Sequence, residues 1–394
     1  RSPLMRSSAA SDVYKRQAVP LEYSSSANFR NIALIRGLME NGHSVSTLST
    51  RPQENSSCYD KTILDLQFEE RFYVELGQLH AGIGAAKKGT LKSKIKSKLY
   101  RLNMLLSLYD SRKSEAPKVS KIDFSGKKYD IIISSSDPKS SHLFAENLLK
   151  AHPGIAKKWI QYWGDPFSGD INRRSYVPEF VISKEEKRLL SLCDKAVYVS
   201  PLTSEYIKKK YPEYENKIQF VPIGYSEKKV YPKHESGKLD LCYCGDYYAK
   251  DRDLMPLIDA ARRIGDTCTL TLAGDSDLDV KKSENITVYP RVGKKKVDEI
   301  EQNSDVIVCV CNKNGTQIPG KIYHASATNR CVLILLDGEK KREIKKYFES
   351  YNRFIFAENK TEDITKALKE ISANRPEAAP CEAFEGTYVA KQFL

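Results

Sequence analysis

The chain has 394 residues, 40% hydrophobic and 29% charged, which fits two soluble globular domains and excludes a fibrous or disordered protein. Lys and Arg total 64 against 51 Asp and Glu, a formal charge of +13, so an anionic partner is expected: nucleic acid, acidic lipid or a phosphorylated ligand. No run reaches the ~18–20 apolar residues of a membrane span, and nine scattered cysteines suit reduced cytoplasmic usage better than a disulfide framework.

Arg1–Gln17 has no apolar core and no periodicity. Its segment Asp12–Gln17 back-translates as GAT GTG TAT AAG AGA CAG, which resembles the end of a transposon adapter used in preparing DNA libraries. An artefactual leader over 1–17 is the expectation, with a native tail as the alternative. Without its four cations and one acid the charge is +10.

Beyond the leader, Ile32, Leu34, Ile35, Leu38 and Met39 have helical spacing over Asn28–Asn41, and Gly42 stops the helix. Val45–Leu48 follows as a strand. With the apolar Ala18-Val19-Pro20-Leu21 ahead of it, this is a βαβ unit whose first strand is clipped. Residues 51–80 predict no element.

Residues 81–113 stand apart. Lys87, Lys88, Lys92, Lys94, Lys96, Lys98 and Arg101 interleave with Leu91, Ile95, Leu99 and Leu102, and no acid occurs from Ala81 to Tyr109. This is a basic amphipathic helix. Either Lys92, Lys94, Lys96, Lys98 and Arg101 face an anionic bilayer, or the helix packs on its own domain with a solvated basic face.

Tyr129–Ser135 reads as a buried parallel strand, then a helix at Ser141–Ala151, a strand at Lys158–Trp163, a helix at Lys184–Leu192 and a strand at Ala196–Ser200. A short helix over Ser204–Lys210 precedes the crossover Phe220–Gly224. The second half repeats the pattern, with strands at Leu239–Cys244, Thr269–Ala273, Ile286–Tyr289, Val306–Val310, Val332–Leu336 and Arg353–Phe356. Helices fall near Leu254–Ile264, Lys295–Asn303, Lys321–Ala327, Lys340–Tyr347 and Thr361–Ile371. The expected fold class is α/β with two doubly wound domains, 18–215 and 216–375. A tail over 376–394 is open to a return to the first domain.

Several strand ends carry chemistry. Gly245 after the strand Leu239–Cys244, with Asp246, Lys250 and Arg252 beyond it, lets backbone approach a phosphate near cations and a helix start. Gly274 ends the next strand in the same style. Asn314, Gly315, Thr316 and Gly320 form a polar loop that opens a helix, with Lys321 in its first turn, a combination that can cradle a diphosphate. Each of these also fits an ordinary βα loop. In the first half, Trp163-Gly164-Asp165-Pro166 ends a strand. Asp165 either orients a substrate hydroxyl or belongs to a plain Asp-Pro turn.

Five segments then fall in the order seen in one family. Gly42-His43-Ser44-Val45, Phe220-Val221-Pro222-Ile223-Gly224, Gly245–Arg252 with Pro256–Ala260, Ile318-Pro319-Gly320-Lys321 through Ala325, and Asn329–Leu333 together resemble the glycosyltransferases of family 4. The resemblance covers about Ala18 to Lys360. It implies the GT-B fold, two Rossmann-like domains facing a central cleft, and a retaining, metal-independent reaction with no cofactor. It implies a nucleotide-diphosphate sugar as donor, with Gly245, Arg252 and Lys321 at its phosphates. A lipid-linked or polysaccharide acceptor would lie near Asp165, on a cytoplasmic protein peripheral to the inner face of the plasma membrane. The family usually has a ribose-binding glutamate where this chain has His324, whose imidazole cannot accept bidentately. A weakly active or inactive relative serving as a membrane- or partner-binding module therefore stays open, as does a nucleotide-sugar epimerase.

Other chemistries find less support. Cys242-x-Cys244 and Cys309-x-Cys311 fit core strands rather than the Cys-x₂₋₄-Cys loops of zinc sites, and the six histidines have no metal-ligand spacing. No nucleophile elbow or Walker loop is present. No nucleic-acid module accounts for the basic charge.

Overall fold

The computed structural model describes residues 13–16, 19–56, 58–77, 102, 104–173, 175–234, 236–281 and 283–394. The chain divides into two units, one running to Pro222 and regaining Val389–Leu394, the other Ile223–Tyr388.

In the first unit the elements run β1 (Val13–Arg16), α1 (Ser26–Glu40), β2 (Val45–Thr50), β3 (Arg71–Val74) and β4 (Tyr129–Ser135). Then come α2 (Ser141–Ala151), β5 (Ala156–Trp163), α3 (Glu179–Leu192), β6 (Lys195–Tyr198), α4 (Pro201–Lys210) and β7 (Ile218–Phe220). They form a parallel sheet ordered β3-β2-β1-β4-β5-β6-β7. The order reverses between β1 and β4. Ile132 and Ile133 on β4 are fully buried, as expected of a parallel strand covered on both faces.

The sequence predicts the first strand at Ala18–Leu21. The structure corrects this: Val19–Leu21 lies in a bend, and β1 precedes it, pairing Val13 with both Val45 and Ile131. Pro20 lacks the N–H that a central strand donates. The leader-like stretch thus supplies backbone to the middle of the sheet. The edge strand β3, four residues with no apolar alternation, falls where the sequence predicts no element.

Ser25 caps α1, its Oγ accepting from Asn28 N at 3.2 Å. Asn28 Nδ2 donates to the carbonyls of Pro20 and Tyr23 at 2.7 and 2.6 Å. The loop after β1 is thereby bound to the first turn of the helix.

The last helix of the chain spans Gly386–Phe393. Phe393 is fully buried, its ring 4.9 Å from that of Tyr162, and its carbonyl accepts from Lys195 Nζ at 3.0 Å. Phe393→Ala removes a buried ring and leaves a cavity, so it is expected to cost the first unit about 3 kcal/mol. A drop in its thermal unfolding midpoint by calorimetry measures that loss.

The second unit holds β8 (Leu239–Cys244), α5 (Met255–Ile264), β9 (Cys268–Ala273), β10 (Ile286–Tyr289), α6 (Lys294–Gln302) and β11 (Val306–Val310). It continues with α7 (Lys321–Ala325), β12 (Cys331–Leu336), α8 (Lys341–Glu349), β13 (Ile355–Glu358) and α9 (Thr361–Asn374). Its parallel sheet is ordered β10-β9-β8-β11-β12-β13, reversing between β8 and β11. In a doubly wound sheet the strand ends at such a reversal leave a crevice for ligands. The β8–β11 ladder is confined to Leu241–Val306 and Cys242–Ile307. The ends of the two strands are therefore not laced to each other.

Lys92, Lys94, Lys96, Lys98 and Arg101 lie outside the described residues. No helix of the described residues is long and apolar enough to cross a membrane.

Candidate functional site

The reversal point of the second sheet gathers most of the residues singled out from sequence. β8 runs into Gly245, whose φ of +153° suits only glycine. A Cβ there would collide with the end of the Lys321 side chain, which reaches back from the first turn of α7. Gly245 is therefore the opening that lets the ammonium lie against the strand end. Lys321 Nζ stands 5.2 Å from the centre of the Tyr243 ring and has no hydrogen bond or ion pair among the described residues. Burial pushes its pKa down, and the nearby Arg252 cation adds to the shift. An incoming anion would oppose both effects. Among the described residues this is a cation without a paired counter-ion.

Arg252 comes from the loop after β8. Its Nε donates to Asn312 Oδ1 at 2.7 Å, while Asn312 Nδ2 donates to the Gln317 carbonyl at 3.0 Å. Asn312 thus fixes the guanidinium and also closes the base of the loop that carries Asn314, Gly315 and Thr316. Asn314 and Gly315 are exposed at its tip and Thr316 is half-buried. Lys313 joins the same two loops, its Nζ donating to the Ala249 carbonyl at 2.8 Å. Gly320 caps α7, and His324 lies one turn beyond Lys321 on that helix.

Two residues of the set have structural tasks. Gly274, at φ +156°, lets the end of β9 press against the Gly245 carbonyl, where a Cβ would clash with backbone. The Asp246 carboxylate is held by Arg291 and accepts from Asp275 N at 3.1 Å. Its charge is thereby offset by Arg291. Lys250 is exposed. Neither Asn312 nor Arg291 stands out in sequence, since a strand-end Asn and a loop Arg are common. Only the fold shows what they hold.

In the first unit, Asp165 belongs to a constellation at the ends of β4 and β5. Lys139 Nζ bonds Asp137 Oδ1 and lies 3.2 Å from Asp170 Oδ2. The Asp165 carboxyl feels the charge of Asp137. Arg30 from α1 donates to the Ser136 carbonyl and occupies the space that a Cβ on Gly164 would need. Burial opposes ionisation of Asp137, but Lys139 and Arg30 outweigh it and hold this carboxyl below its usual range. Asp165 goes the other way, pushed up to about 7 by burial, then by the charges of Asp137 and Asp170. Lys139 is kept protonated by the same three acids despite its own burial. The adjoining Trp163 is packing: it is fully buried, 4.1 Å from the His142 ring, and burial lowers His142 to about 3.

Because folded Asp165 keeps a proton that the unfolded chain releases, its contribution to stability is expected to fall as pH rises from 3.8 to about 7. Asp165→Asn should flatten that slope in urea midpoints measured across this pH range.

One group could offer a cation three ligands: His234, Asp240 and Asp305 present atoms within 4.8 Å of one another. Asp240 already bonds Ser236, Thr269 and His234, while Asp305 pairs with Arg375 at 2.6 Å. A metal would have to displace these partners.

Neither a family model nor a curated protein matches the chain. Solved structures do. The catalytic domain of starch synthase IV from Arabidopsis thaliana, bound to ADP and acarbose, superposes with a TM-score of 0.59 at 10% identity, over 97% of this chain and 95% of that one. The chain has the GT-B fold. A glycosyltransferase from Rickettsia africae ESF-5 gives a TM-score of 0.54 at 12% identity, over 98% and 94% of the two chains. A UDP-N-acetylglucosamine 2-epimerase gives 0.55 at 10% identity, with the same coverages. GT-B proteins thus share this architecture at identities where site residues cannot be transferred. The chemistry must be argued from Lys321 and its neighbours.

Proposed function

We propose that the chain moves a sugar from a nucleoside-diphosphate sugar to a saccharide or lipid-linked acceptor. The observation that carries this is Lys321, a half-buried ammonium at a glycine strand end with no ion pair among the described residues, beside the fixed guanidinium of Arg252. When the bond between the anomeric carbon and the diphosphate breaks, negative charge grows on the departing oxygens, and preorganised cations stabilise it. Lys321 and Arg252 take that role without a metal. In the retaining course the acceptor oxygen bonds the anomeric carbon from the leaving-group face. Its proton passes to the departing diphosphate. Gly245, Gly320 and the Asn314–Thr316 loop supply backbone to the donor, and His324 is assigned to its ribose. Asp165 positions the acceptor hydroxyl.

A second reading has its own support. A carboxyl that titrates near neutrality beside a second acid, as Asp165 does beside Asp137, suits removal and return of a proton, which is the need of a nucleotide-sugar epimerase. Incubation with a panel of UDP-, ADP- and GDP-sugars, with and without saccharide acceptors, separates the two. Diphosphate release that depends on acceptor supports transfer. Conversion of donor without acceptor supports epimerisation, and no binding of any donor supports a non-enzymatic module.

A further inference from the structure

The cysteines that sequence places on core strands meet at the strand ends beside Lys321. Leu241 and Tyr243 of β8 join Val306, Val308 and Val310 of β11 in one core cluster. Strand alternation therefore puts Cys242, Cys244 and Cys309 on the opposite face. The ladder pairs Leu241 with Val306 and Cys242 with Ile307, and the same register carried two residues further sets Cys244 opposite Cys309. Adjacent strands lie about 4.8 Å apart, inside the ~4.4–6.8 Å between Cα atoms that a disulfide spans. The Lys321 ammonium feels both thiols and lies against Gly245, the residue after Cys244. Both cysteines are free thiols. Cys244 is half-buried and Cys309 only 2% exposed, so an oxidant meets Cys244 first.

We propose that Cys244 and Cys309 form a reversible disulfide, with peroxide as oxidant, that shuts the crevice to a nucleoside diphosphate. The effect on the diphosphate rests on the donor site proposed above, whereas the disulfide itself does not. The Cys244 sulfur attacks one peroxide oxygen, the O–O bond breaks, and the departing hydroxide takes the thiol proton and leaves as water. The Cys309 sulfur then attacks the Cys244 sulfur of the sulfenic acid. The S–OH bond breaks, and its hydroxide leaves with the Cys309 proton as a second water. The two thiols lose two electrons and the peroxide gains them. Burial pushes the Cys309 thiol up to about 12, which Lys321 opposes, so Cys309 keeps its proton until that step. Beyond the Cys242–Ile307 pair the strand ends are unlaced. A covalent bond there ties the residue before Gly245 to β11 and displaces the backbone that a phosphate would approach. A dithiol reductant reverses the step by thiol exchange.

Limiting hydrogen peroxide added to the full chain, followed by mass spectrometry of unreduced peptides, reads the disulfide directly. A cross-link between the peptides holding Cys244 and Cys309 should form, disappear with dithiothreitol, and be absent from Cys244→Ser and from Cys309→Ala. Calorimetric titration with UDP and ADP reads the consequence. Oxidation should weaken binding by about tenfold or more, dithiothreitol should restore it, and Cys309→Ala should keep its affinity through the same treatment. No cross-link in the unaltered chain, or one that survives both substitutions, would overturn the inference. So would a cross-link that leaves nucleotide affinity unchanged. A cross-link in a chain whose reduced form binds neither nucleotide would uphold the disulfide and overturn the donor reading, together with the closure that rests on it.

Discussion

Lys321→Ala is expected to lower sugar transfer by about two orders of magnitude, the effect typical of removing one preorganised group that stabilises leaving-group charge. The same substitution should leave the fold intact, since Lys321 Nζ has no hydrogen bond or ion pair among the described residues. Stability should rise rather than fall. Lys321 has a folded pKa below its ordinary 10.5, mainly through burial, so the folded state bears a penalty for the charge at every pH below that shifted value. Removing the ammonium removes the penalty. A variant more stable by thermal unfolding yet nearly inactive separates a functional lysine from a structural one.

Gly245→Ala should be nearly as damaging, for a different reason. The backbone there sits at φ +153°, which costs an alanine about 1–3 kcal/mol. The new methyl would also force Lys321 from its place. In a Lys321→Ala background only the backbone cost remains, so the two substitutions should be non-additive by about 1 kcal/mol or more. A double-mutant cycle on nucleotide affinity measures the coupling. Strict additivity would show that Gly245 and Lys321 act independently.

Much of this architecture is legible in the sequence because parallel strands buried on both faces read as short unbroken apolar runs. Val306–Val310 and Tyr129–Ser135 are of this kind, and the structure gives them the expected bounds. The amphipathic helices Ser141–Ala151 and Met255–Ile264 follow likewise from their spacing. Arg71–Val74 lacks that signature, its first three residues being only half-buried, and goes unpredicted. α3 begins at Glu179 rather than Lys184, with Pro178 at its N-cap.

The site is legible only in part. Gly245, Arg252 and Lys321 can be named from strand-end glycines and nearby cations. That Lys321 lies over Gly245 depends on a β8–β11 neighbourhood linking residues some eighty positions apart, which no local pattern encodes. Arg30 is further removed: it sits in α1 at ordinary helical spacing, and only the folded sheet brings it against Ser136 and Gly164. Asp165 is visible as a strand-end acid, but its elevated pKa arises from burial and then from Asp137 and Asp170, all supplied by the fold.

Calorimetric titration of the unaltered protein and of Lys321→Ala with UDP and ADP tests the assigned anion site most directly. At least one of the two nucleotides should bind the unaltered protein, and its affinity should fall sharply in Lys321→Ala. Binding of equal strength in the two proteins, or no binding by the unaltered chain, would contradict the account.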